Sequence, residues 1–80
     1  MGESRAPAQI IFEQLAAHLG PNTARTALRM FCERAVGVAP EAVTRADAPR
    51  VLEALRPMLK TLVGPLESDA VISHIERELS

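Results

Sequence analysis

Apolar side chains recur at steps of three and four residues in four segments of this chain, the spacing of an α-helix with one buried face. The first segment starts at Pro7, a residue suited to a first helical turn, and carries Ala8, Ile11, Phe12, Leu15 and Leu19. Gly20-Pro21 ends it, because glycine accepts a left-handed cap and proline cannot extend the hydrogen-bond ladder. A second helix, capped by Asn22 or Thr23, places Ala24, Ala27, Leu28, Phe31 and Ala35 on one face. Arg25, Arg29 and Glu33 project from its other face, and Gly37 stops it.

The run from Val38 to Val43 is too short and too unalternating for a strand. Pro40-Glu41 predicts instead a single helical turn whose two flanking valines pack inward. Asp47 is the expected cap of a third helix with Pro49 in its first turn. Val51, Leu52, Leu55, Met58, Leu59, Leu62 and Val63 give that helix the strongest stripe in the chain. Pro57 falls inside it, opposite the stripe, and removes the amide bond to the carbonyl of Glu53. The expected result is a bend convex toward solvent rather than a functional hinge. After Gly64-Pro65, the spacing of Val71, Ile72, Ile75 and Leu79 predicts a fourth helix.

Two boundaries share a form: Leu15-x-x-x-Leu19-Gly20-Pro21 and Leu59-x-x-x-Val63-Gly64-Pro65 each precede a helix. Gly-Pro is a common helix stop, so independent reuse explains the likeness more simply than duplication. The fold class expected is all-α, a compact four-helix domain of two αα-hairpins with a structured connector between helices 2 and 3. One domain over residues 7–80 follows a flexible, aperiodic segment over residues 1–6.

Composition adds that this domain folds but has little core to spare. The chain has 80 residues, 48% hydrophobic and 24% charged, which argues against disorder. Without disulfides, a domain this small is reinforced by tight helix packing or by self-association. The formal net charge of −1 supplies no positive field of the kind generic phosphate binding needs. The single cysteine, Cys32, forbids an internal disulfide and makes the cytoplasm the expected compartment. No apolar run approaches the roughly 18 residues of a membrane span. Ala6 stands where a myristoylation signal wants Ser or Thr, so no membrane anchorage is expected.

The chemical inventory is sparse. His18 sits beside Gln14 just before the first Gly-Pro stop, a position that favours contact with the last carbonyls of a helix. His74 lies off the apolar stripe of helix four, with Glu78 one turn later and Glu67 two turns earlier, as in a surface hydrogen bond. His74-Ile75-Glu76-Arg77 faintly suggests a phosphoacceptor histidine but lacks the wider context of one. Cys32 is mid-helix and off the stripe centre, hence a partly covered packing residue rather than a reactive thiol. No close pair of His or Cys ligands marks a metal site, and no phosphate loop, nucleophile elbow or His-Glu-x-x-His motif occurs. An enzyme is therefore not expected, and no catalytic, cofactor-binding or metal-binding residue is assigned.

Two functions remain. A helix-turn-helix-like DNA-binding protein would use Arg25 and Arg29, which project from the helix after the tight Gly20-Pro21 turn. Against it, Glu33, Glu41, Asp47 and Glu53 interleave with the arginines, and two phenylalanines offer no platform for stacking single-stranded bases. The favoured expectation is a small non-catalytic module for protein–protein interaction or dimerisation, a regulatory adaptor or assembly subunit whose partner is another protein or, as a homodimer, itself. Ile10 at about 160° from the helix-one stripe centre, Met30 off the helix-two stripe, and Leu66 and Ala70 on the far side of helix four are its expected interface.

Overall fold

In the computed structural model, which describes residues 6–79, the four apolar stripes become four helices. They are α1 (Pro7–Leu19), α2 (Pro21–Val36), α3 (Ala48–Val63) and α4 (Pro65–Leu79), with a 3-10 turn over Pro40–Ala42 between α2 and α3. The pairs α1·α2 and α3·α4 pack as hairpins. α2 also packs on α3 and α1 on α4, so the helices form a closed four-sided bundle. The core draws on every side: Ile11 and Leu15, Leu28 and Cys32, Leu52, Leu55 and Leu59, Val71, Ile72 and Ile75. The connector valines turn inward as expected, Val43 buried and Val38 half-buried against the core.

Caps depart from the sequence expectation at two helices. Neither Asn22 nor Thr23 caps α2, since Gly20 itself is its N-cap and the helix begins at once with Pro21. Asp47 occupies the N-cap position of α3 but has helical dihedrals and makes no side-chain cap to the helix ahead of it. It closes a box with Thr44 instead. The Asp47 amide donates to Thr44 Oγ1 at 3.2 Å, and the Thr44 amide donates to Asp47 Oδ2 at 3.3 Å. This is the reciprocal geometry of a capping box, one turn upstream. Pro49 has no amide to donate to the Arg45 carbonyl, which is why the regular ladder starts only after this turn.

Polar links hold the helices in register. His18 Nδ1 lies 3.1 Å from the Gln14 carbonyl oxygen and Nε2 lies 3.1 Å from Glu67 Oε2, tying the end of α1 to the first turn of α4. Arg56 donates to Asp69 Oδ1 at 2.9 Å and to Glu53 Oε2 at 3.2 Å, clamping α3 to α4. Arg45 donates to the Leu79 carbonyl at 2.8 Å, placing a cation at the C-terminal end of α4. Pro57 is exposed on a helix that continues through it. Of residues 1–6, on which the expected flexibility and the myristoylation reading fall, residues 1–5 lie outside those described, and Ala6 is the N-cap of α1.

Among the described residues one buried side-chain polar group has no partner: Ser68 is fully buried on α4 and its Oγ makes no hydrogen bond. Desolvating an unpaired hydroxyl is unfavourable, while an alanine there leaves almost the same shape. Ser68→Ala is expected to raise stability by about 1 kcal/mol in urea denaturation. A fall in the midpoint would mean that the hydroxyl is bonded in solution.

Candidate interaction surface

Cys32 is fully buried, more covered than its position on the helix wheel suggested. Burial, and secondarily the carboxylate of Glu41, push its thiol pKa up, which keeps it protonated and unreactive. His74 Nε2 lies 3.8 Å from Glu78 Oε2, while Glu67 is turned to His18 instead. No three His, Cys, Asp or Glu side chains among the described residues converge as metal ligands. Among the described residues no helix is long and apolar enough to cross a membrane.

Two concave surfaces flank α2. On one side α2, the start of α1 and the 3-10 turn enclose an open groove of about 660 Å³. Phe12, Leu28, Ala8 and Pro40 supply its apolar lining, and Arg25, Arg29, Glu33 and Glu41 its charge. The Arg25 guanidinium lies over the Phe12 ring, 5.8 Å from its centroid, and bonds weakly to Asn22 Oδ1 at 3.4 Å. On the other side α2 and α3 enclose a shallower hollow of about 380 Å³, lined by Thr23, Thr26, Ala27, Met30 and Met58. α2 is thus a ridge between two partly apolar depressions, with its own Arg25, Arg29 and Glu33 along the crest.

The expected interface divides. Ile10 is buried, at 4% exposure, and belongs to the core, which corrects its assignment to a docking surface. The stripe used to place it was too narrow. α1 packs on α2 and α4 and touches α3 across the bundle, so its buried arc reaches round to Ile10 and leaves Phe12 only half-covered. Met30 is exposed at 39% and lines the hollow with Met58. Leu66 at 86% and Ala70 are exposed on α4 but line neither depression.

Leu62 was assigned to the core stripe, yet it is 53% exposed. It lies two turns beyond the fully buried Leu55 on the same side of α3, in the last turn before Gly64. Three residues of the surface escaped the sequence reading. Phe12 and Met58 obey the core periodicity and carry no sign of being left at its edge. Glu41 shares a groove with Glu33 only because the 3-10 turn folds back beside α2. Arg25 and Arg29, the alternative nucleic-acid contacts, share this groove with Glu33 and Glu41 rather than forming a basic face. No protein-family model, no curated protein and no solved structure matches the chain.

Proposed function

We propose that the domain is a non-catalytic protein-binding and dimerisation module whose working element is α2. The observation that carries this reading is the ridge itself: a helix flanked by two concave, partly apolar surfaces and bearing an exposed methionine. Apolar side chains left in water at such a place gain free energy when a partner covers them, and methionine adapts to the shape it meets. The charged crest sets orientation, because a wrongly placed partner leaves ions unpaired and desolvated.

The reading makes a measurable demand. In sedimentation at high micromolar concentration the chain is expected to run at twice its monomer mass. Met30→Asp is expected to return it toward monomer with an unchanged helical circular dichroism spectrum. Met30 is 39% exposed, so covering what remains is worth roughly 0.6–1.2 kcal/mol, and a two-fold dimer covers it twice. A chain that stays monomeric at every concentration overturns self-association.

A further inference from the structure

We infer that the partner of the α2 ridge is a second copy of this chain, packed with the two α2 helices antiparallel about a two-fold axis that passes between them at the level of Phe31. The inference rests on the proposed function and names the partner and its orientation.

The charge order along α2 carries it. Arg25, Arg29 and Glu33 follow at intervals of four residues on the exposed side, with Glu41 of the 3-10 turn continuing the acidic end beside the same groove. The groove side of the ridge is therefore basic toward its N-terminus and acidic toward its C-terminus, over about 12 Å between Arg25 and Glu33, with exposed Arg34 outside the groove lining. Among the described residues, Arg29, Glu33 and Glu41 form no ion pair in the single chain.

A polar sequence of this kind complements itself only when reversed. With the axis near Phe31, Arg29 of each copy faces Glu33 of the other, and Arg25 points toward the end of the groove that holds Glu41. A parallel two-fold pairing sets Arg29 on Arg29 and Glu33 on Glu33, which repels at each position. The reversed pairing also brings groove to groove and hollow to hollow. The long arginine stems then lie over Leu28 and Pro40, and Met30 meets the Met30–Met58 hollow of its counterpart.

The test is a charge exchange on exposed residues, with the helical spectrum of each variant checked first. Arg29→Glu alone and Glu33→Arg alone are each expected to weaken dimerisation by roughly tenfold to a hundredfold, since each change puts like charges together at both symmetry-related contacts. An equimolar mixture of the two variants is expected to recover dimer mass in sedimentation equilibrium, because one chain then carries two acids opposite two arginines. The chain bearing both substitutions is expected to dimerise by itself. Single variants that dissociate without recovery on mixing overturn the antiparallel register. A wild-type dimer indifferent to both reversals but broken by Leu66→Asp overturns the α2 interface while leaving self-association standing. A wild-type chain that never dimerises overturns both.

Discussion

Leu55→Ala is expected to lower the stability of the domain by about 2–5 kcal/mol, seen as a reduced urea midpoint with little change in slope. Leu55 is fully buried in the middle of α3, where the core receives side chains from all four helices. Truncation removes its transfer free energy and leaves a cavity that a close-packed bundle refills only in part. A domain of this length has roughly 4–12 kcal/mol of net stability, so a single such loss brings it near its unfolding threshold. Leu62→Ala is the matched control: the same residue type on the same stripe, two turns later, but more than half exposed. Its expected cost is within about 0.5 kcal/mol. Equal costs at the two positions would show that α3 is buried along its whole length.

That contrast marks how far the sequence carries the structure. Periodicity and the Gly-Pro stops located all four helices, the 3-10 turn and most of the core, because those signals are local and repeat within one or two turns. The width of each buried arc is a different quantity, fixed by how many neighbours a helix touches. Ile10 and Leu62 were misplaced in opposite directions: the contacts of α1 with α2, α4 and α3 bury Ile10, whereas Leu62, in the last turn of α3, is more than half exposed. The Thr44–Asp47 box is written in the sequence as Thr-x-x-Asp, but Pro49 drew attention to Asp47 as the cap.

The candidate surface was less accessible still. Met30, Arg25, Arg29 and Glu33 were visible as outward residues of one helix, and their order along it required no structure. What required structure was the flank: Phe12 from α1, Met58 from α3 and Glu41 from the turn reach the ridge through contacts distant in sequence. Charge balance had already weighed against nucleic acid. The geometry adds that Arg25 and Arg29 share their groove with the carboxylates of Glu33 and Glu41.

Gly20→Ala and Gly64→Ala are expected each to cost about 1–3 kcal/mol, and to cost nearly the same. The two residues adopt almost one conformation, φ 87° and ψ 155° at Gly20 and φ 90° and ψ 160° at Gly64. The following proline demands the extended ψ, and the positive φ combined with it is a region that side-chain-bearing residues scarcely enter. A Cβ at either position would meet nothing within 4 Å, so the cost lies in the backbone alone. Each glycine also closes one ladder and opens the next. Gly20 donates to the Ala16 carbonyl and accepts from the Ala24 amide, at 2.9 and 3.0 Å, and Gly64 does the same with Lys60 and Ser68, at 3.0 and 2.9 Å. An alanine that relieves its strain by rotating gives up one of these bonds and swings the helix that follows. At Gly20 that helix is α2, so this substitution is expected to weaken the proposed dimer as well as folding, whereas Gly64→Ala should act on folding alone. Urea midpoints and sedimentation on the two variants separate the effects, and markedly unequal folding costs would show that the two junctions are not equivalent.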